Sequence, residues 1–341
     1  MNEGREFRRI LVTGGAGFIG SHFVEYQLAT HPRQEVVVLD AFTYAGNPSN
    51  LEFAAGDQRF RLVRGDIGDA GAVAGAIEGC EAVVNFAAET HVDRSIMEPL
   101  GFARTDVIGV GVLLEACRGR GGVRFHQIST DEVYGPVPEG LADEDHPLRP
   151  TSPYSASKTG GELLVQAYHK TYGLDTVITR GANTYGPRQY PEKALPLFIT
   201  NALEDQPLPL YGKGASVRTY THVTDVVHGI DTALRRGPPG GIYNVGRSED
   251  VVIGTMARSV LELLGKPESL LAHVPDRPGH DVRYALDTSR LRMLGWAPRV
   301  GWAEGLAATV HWYVENPQWW RPIKSGEFKE YYRRQYATLR S

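Results

Sequence analysis

Short apolar, β-branched runs recur through the first half of the chain, at residues 9–13, 35–40, 59–64, 82–86, 123–128 and 176–179. Between most of them, at 18–29, 70–77, 102–118 and 154–172, apolar residues fall three and four apart. The first pattern predicts buried strands and the second amphipathic helices; their alternation predicts a doubly wound α/β fold, a parallel sheet with helices on both faces. Beyond about residue 186 the periodicity loosens: Pro187, Pro191, Pro196, Pro207 and Pro209 interrupt it, and the Gly/Pro-rich stretch 236–241 marks a loop. The expectation is a nucleotide-binding domain over 1–186 and a smaller, mixed α/β substrate lobe over 187–330. Residues 221–234 read as a strand end and helix, so that 221–245 is expected to return to the larger domain.

Composition narrows the function classes. The chain has 341 residues, 42% of them hydrophobic, enough for a large core. With 36 basic against 40 acidic residues, it lacks the positive surplus that neutralising nucleic-acid phosphates demands. The two cysteines, Cys80 and Cys117, form no CxxC and sit beside no histidine cluster, so no metal is expected and a reducing cytoplasm is. No leader segment and no membrane span are expected either.

Directly after the first strand run comes Thr-Gly-Gly-Ala-Gly-Phe-Ile-Gly, in which Gly14, Gly15, Gly17 and Gly20 satisfy a dinucleotide-binding pattern. Glycines there let the backbone turn tightly, approach a pyrophosphate and aim helix N–H groups at it, which makes the predicted sheet Rossmann-type. Asp40 ends the next strand twenty residues after Gly20. A carboxylate at that place accepts hydrogen bonds from a ribose diol and repels a 2′-phosphate, favouring NAD over NADP. Asp66 and Ile67, after the third run, are candidates for the adenine.

Tyr154 and Lys158 lie four apart at the start of a predicted helix, on one face of it. An ammonium beside a phenol favours the phenolate, and the expectation is a Tyr154 pKa lowered toward working pH, fit to take a proton from a sugar hydroxyl. At the end of the fifth strand run stands Ser-Thr-Asp-Glu-Val-Tyr-Gly, residues 129–135, with two adjacent carboxylates.

Gly-Gly-Ala-Gly-Phe-Ile-Gly, Asp40 and Tyr-Ser-Ala-Ser-Lys in this order resemble the extended short-chain dehydrogenases/reductases. The stretches 38–47, 86–96, 129–135, 183–198, 208–214 and 276–287 narrow the likeness to nucleoside-diphosphate-glucose 4,6-dehydratases, dTDP-glucose 4,6-dehydratases above all. The resemblance implies oxidation of a hexose at C4, elimination of water across C5 and C6, and reduction at C6. It implies Thr130, Asp131, Glu132, Tyr154 and Lys158 as the catalytic set, with Glu132 as base and Asp131 as acid. For NAD it implies Gly14, Gly15, Gly17, Phe18, Ile19, Gly20, Asp40, Phe42, Thr43, Asp66, Ile67, Ala87, Ala88, Thr105, Tyr154, Lys158 and Thr184. For a nucleotide-sugar it implies Thr90, Thr130, Asn183, Lys193, Ala194, Pro209, Tyr211, Arg218, Asn244, Arg277 and His280, with Tyr211 stacking on the base.

The chain departs from the usual pattern at Asp106 and Val110, where Asn and Thr are typical, and at Thr184, Arg188 and 219–220. Two other chemistries remain open on the same residues: a nucleotide-sugar 4-epimerase or decarboxylase, and a non-catalytic NAD-binding sensor. The helices at 102–118 and 154–172 resemble a pair that builds a four-helix interface in relatives, which implies a homodimer. The aromatic group Trp312, Tyr313, Trp319 and Trp320 reads as C-terminal core.

Overall fold

The computed structural model describes residues 4–212, 214–247, 249–275, 284–325 and 332. In chain order the larger body holds β1 (Arg9–Thr13), α1 (Phe18–Thr30), β2 (Glu35–Asp40), β3 (Phe60–Arg64), α2 (Ala70–Ala76), β4 (Ala82–Asn85), α3 (Val92–Met97), α4 (Pro99–Ala103), α5 (Val110–Arg120), β5 (Arg124–Thr130), α6 (Pro153–Tyr172) and β6 (Thr176–Gly181). There follow β7 (Asn183–Tyr185), α7 (Ala194–Leu203), β8 (Leu208–Tyr211), β9 (Val217–His222), α8 (Val223–Arg236), β10 (Gly241–Val245), β11 (Asp250–Val252) and α9 (Ile253–Leu264). Last come β12 (Leu271–Val274), α10 (Ser289–Met293), α11 (Trp302–Glu315) and α12 (Pro317–Ile323).

Seven strands form one parallel sheet in the order β10-β6-β5-β4-β1-β2-β3. The order reverses between β1 and β4, and in such sheets the crevice beyond the strand C-termini at the reversal is where ligands bind. Alternation along the strands loads both faces. Val12, Val36, Val38 and Val84 meet α1 and α8 through Phe23, Val24, Val226 and Ile230. Leu11, Val37, Leu39 and Val83 instead meet α2, α5 and α6 through Val73, Leu113, Leu114 and Val165. A third apolar cluster, with Phe198, Leu210, Met256, Val260, Val310, Tyr313 and Trp320, packs α7, α9, α11 and α12 together.

Two stretches differ from their sequence patterns. The run 102–118 is not one helix: α4 passes into a π-helical turn, Arg104–Gly109, before α5 continues to Arg120. The turn lies against α6 so closely that a Cβ on Gly161 would stand 2.1 Å from the Asp106 carbonyl oxygen. Thr221 belongs to β9, which pairs with β7 and β11 in a separate three-stranded sheet, and the strand that joins the large sheet is β10.

Candidate active site

β5 runs beyond its apolar residues to include Ser129 and Thr130, and the chain then leaves the sheet in one 3-10 turn, Asp131–Tyr134. Thr130 caps that turn: its Oγ1 accepts from the Glu132 N–H at 3.2 Å and donates to Asp131 Oδ1 at 3.2 Å. Gly135 ends it at φ 70, where a Cβ would stand 2.3 Å from the Arg149 carbonyl oxygen, so only glycine closes the turn. Asp131 is 3% exposed, and its Oδ2 is buried without a hydrogen-bond partner. Burial first, then the neighbouring Glu132, push its carboxyl up to about 7, with Thr130 and Arg218 opposing. A carboxyl with that pKa is part acid, part base at neutral pH.

Facing the turn is the first turn of α6. Pro153 takes the first helical position, and Ser152 and Ser155 form a reciprocal capping box, which fixes where the helix begins and so where Tyr154 points. The Tyr154 hydroxyl is hydrogen-bonded to Thr130. Lys158 donates to the Ile128 carbonyl at 2.9 Å. The expected lowering of the Tyr154 pKa is not what the site produces. Burial, then Glu132 and Asp106, raise it well above the ordinary phenol range. These acids come from two other elements, the 3-10 turn after β5 and the π turn after α4.

Two cavities meet at this point. One, of about 340 Å³, is lined by Thr90, Thr130, Asp131, Glu132, Tyr154, Asn183, Thr184, Lys193, Ala194, Pro209, Tyr211 and Arg218 among others. The second, of about 600 Å³, is lined by Gly14, Gly17, Phe18, Ile19, Gly20, Asp40, Thr43, Asp66, Ile67, Ala87, Ala88, Thr105, Tyr154 and Lys158 among others. Tyr154, Thr90, Ser129 and Lys193 belong to both walls. Tyr154 thus stands where the two cavities meet.

The second cavity fits NAD on its own features. No side chain caps the N-terminus of α1 at Gly17, leaving that end to a ligand's phosphates. Gly14, at φ 67, would set a Cβ 2.5 Å from the Ala87 nitrogen, so the loop is drawn against the end of β4. Asp40 is held by the N–H groups of Ala16 and Phe42, both at 2.8 Å, one on each carboxylate oxygen.

Several expected residues sit elsewhere. Asn244 lines neither cavity: it is fully buried, accepts from the Tyr134 hydroxyl at 2.8 Å and donates to the Ala142 and Asp287 carbonyls at 2.9 Å, so its amide ties β10 to the 3-10 turn and to the segments at 142 and 287. Gly15 packs under β2, where a Cβ would meet Val38 at 2.8 Å, and Phe42 packs against the core; neither is on the cavity wall. Thr184 lines the sugar-side cavity rather than the cofactor side. Arg277 and His280 lie outside the described residues.

Other lining residues carried no assignment from sequence. His91, Asp93, Glu192 and Tyr284 line the smaller cavity, and Tyr284 lies under the Arg218 guanidinium at 5.3 Å. Trp319 lines the larger cavity and donates to Asn50 Oδ1 at 2.8 Å, while Tyr313 and Trp320 are buried core as read. His91 and Asp93 fall inside the stretch 86–96, and that was the available signal.

A family model described as GDP-mannose 4,6 dehydratase matches residues 11–309. The chain is 49% identical over 322 residues to the dTDP-glucose 4,6-dehydratase of Streptomyces niveus, covering 93% of this chain and 96% of that protein. It is similar in structure to DesIV, the dTDP-glucose 4,6-dehydratase of Streptomyces venezuelae solved with NAD and dTDP bound: TM-score 0.90, 50% identity, 93% of this chain and all of that one. It is similar also to the UDP-glucose 4-epimerase of Thermus thermophilus in complex with NAD, at TM-score 0.83 and 37% identity, over 90% of this chain and 99% of that one.

Proposed function

We infer that this chain, which belongs to the GDP-mannose 4,6-dehydratase family, is an NAD-dependent hydro-lyase that converts dTDP-glucose to dTDP-4-keto-6-deoxyglucose. The observation that carries the elimination chemistry is the placing of Asp131 and Glu132 beside Tyr154 on one cavity wall, with Asp131 buried and its carboxyl pushed up to about 7. An epimerase exchanging configuration at C4 needs no carboxyl pair for an elimination across C5 and C6.

Bound NAD supplies a two-electron store, filled by oxidation at C4 and emptied by reduction at C6. In this reading Tyr154, oriented by Thr130, takes the proton of the C4 hydroxyl; its pKa is raised in the protein alone, and the positive charge of bound NAD would oppose that rise. Glu132 removes the C5 proton, which the C4 ketone acidifies. Asp131, protonated in part at neutral pH, gives its proton to the departing C6 hydroxyl, so that water leaves and the C5–C6 bond becomes double. Glu132 then returns its proton to C5 and the redox balance closes at zero; release of the proton held by Tyr154 and reprotonation of Asp131 through solvent restore the starting state. Lys193, Pro209, Tyr211 and Arg218 border the nucleotide, and the planar guanidinium of Arg218 suits diphosphate oxygens.

As part of the same proposal, residues 1–186 with α8 and β10, 223–245, form the dinucleotide-binding unit, and the other described residues of 187–325 belong to the nucleotide-sugar lobe. Both cysteines are buried and free, in keeping with a reducing cytoplasm. Among the described residues no helix is long and apolar enough to cross a membrane. Leu100, Ile108 and Leu163 expose apolar surface on α4, the π turn and α6, which supports a homodimer through these helices; light scattering tests it. The activity itself is tested by incubation with dTDP-glucose and with UDP-glucose, followed by mass spectrometry. A product lighter by one water supports the reading, and an isomer of unchanged mass would defeat it.

A further inference from the structure

Asp106 is 2% exposed and sits in the π turn between α4 and α5. Its Oδ2 accepts from the Ser157 hydroxyl at 2.7 Å. Its Oδ1 is buried with no hydrogen-bond partner and lies 3.9 Å from Lys158 Nζ. The π turn is what brings the carboxylate here, since the close seat of Gly161 on the Asp106 carbonyl fixes this backbone against α6. Lys158 is therefore held from two sides, by the Ile128 carbonyl on β5 and by a buried acid.

We propose that Asp106 is a positioning residue that anchors the Lys158 ammonium and, by offsetting part of its charge, sets the pH at which Tyr154 begins to act as a base. The proposal rests on the reading of Tyr154 as the base. The charged and titratable groups that face Asp106 are Lys158 and Tyr154 on α6 and Glu89 on the segment after β4. α4, Pro-Leu-Gly-Phe-Ala, brings none. The Asp106 carboxylate raises the pKa of both Tyr154 and Glu89. Burial pushes Asp106 up to about 6, with Lys158 and then Ser157 pulling it back, so it is ionised at neutral pH and above. A neutral amide of the same shape keeps the hydrogen bond from Ser157 and removes only the charge, leaving the full field of Lys158 to act on the phenol.

The test is Asp106→Asn with two readouts. The ascending limb of kcat/KM against pH is expected to move down by about one unit once the anionic neighbour is gone. The side-chain resonance of Lys158, followed by NMR of isotope-labelled lysine in the NAD-bound enzyme and assigned through Lys158→Met, is expected to show an acid-side inflection as Asp106 titrates in the parent and none in the variant. Both outcomes support the proposal; an unmoved limb, or an inflection absent from the parent or kept in the variant, overturns it. Should the variant fail to fold, the parent's inflection alone decides, and its absence overturns the proposal. Full turnover by Tyr154→Phe would instead remove the base assignment while leaving that inflection intact.

Discussion

Arg180 of β6 and Glu162 of α6 form a fully buried ion pair, in which the Arg180 Nε donates to both carboxylate oxygens at 3.1 Å. The same guanidinium donates to the Tyr134 hydroxyl at 2.7 Å and the Glu144 carbonyl at 3.0 Å, and Tyr134 donates on to Asn244. One polar chain thus joins the helix that carries Tyr154 and Lys158, the turn that carries Asp131 and Glu132, and β10. Its members are worth little as isolated contacts, since desolvation offsets most of the gain, but removing one strands the others in the interior.

Asn244→Ala tests the assignment of that residue to scaffold rather than ligand. It leaves the Tyr134 hydroxyl and two carbonyls without their partner, and about 2–4 kcal/mol of stability is expected to go. Denaturant unfolding measures the loss. At a temperature where the variant is folded, KM for dTDP-glucose should stay within about twofold; a rise of an order of magnitude or more would return Asn244 to the binding site.

Glu132→Gln keeps the shape of the turn and removes the base. Oxidation at C4 needs Tyr154 rather than Glu132, so transient absorbance of reduced cofactor should survive, while keto-deoxy product falls by at least about a hundredfold. Rapid-mixing absorbance together with product mass separates the two steps. Product at the parental rate would strip Glu132 of its role.

Asp131 stores a cost in stability. Its folded pKa of about 7 lies above the unfolded value near 3.8, so the folded state binds the proton more tightly. The associated stability is full below the unfolded pKa and is lost as pH rises through the folded one. Asp131→Asn cannot ionise, and relative to the parent it should gain up to about 4 kcal/mol at about pH 8 and only about half a kcal/mol at about pH 4, while product formation drops. Unfolding curves at the two pH values decide it: an equal effect at both would mean that Asp131 does not titrate in this window.

Gly14→Ala puts a methyl group where the Ala87 nitrogen already stands, on a backbone at φ 67. Calorimetric NAD binding is expected to weaken by at least about tenfold, and unfolding to show a loss of about 1–3 kcal/mol. Unchanged binding would mean that the loop shifts without consequence for the cofactor.

The bounds of β1 and β2 were legible to the residue, because strands covered on both faces must be apolar throughout and polar residues mark their ends. β10 was not read as a strand: Gly-Ile-Tyr-Asn-Val is short, starts on glycine and takes its identity from the free edge of β6. The π turn left no local trace either, and the residue its backbone is packed against, Gly161, stands some fifty residues away on α6. At the site, the glycine loop, Asp40, Thr130, Asp131, Glu132, Tyr154 and Lys158 reach the cavities because each lies just beyond a strand or at a helix start, where the fold decides direction. The Tyr154 pKa escaped because it depends on acids that adjoin it only in three dimensions. That the Asn244 amide bonds to Tyr134, Ala142 and Asp287 was not legible either, because polarity within a strand does not reveal its partners.

The last helix, α12, belongs to the smaller lobe's apolar cluster, yet Gln318, Trp319, Pro322 and Ile323 form part of the dinucleotide cavity's wall, fastened by Trp319 to Asn50 of the larger body. A dinucleotide in that cavity would be touched by both bodies at once, so its binding would draw on the Trp319–Asn50 bond and the packing around it. For a reaction that hands back every electron it borrows, a dinucleotide clasped in this way would suit service to a succession of sugars without exchange.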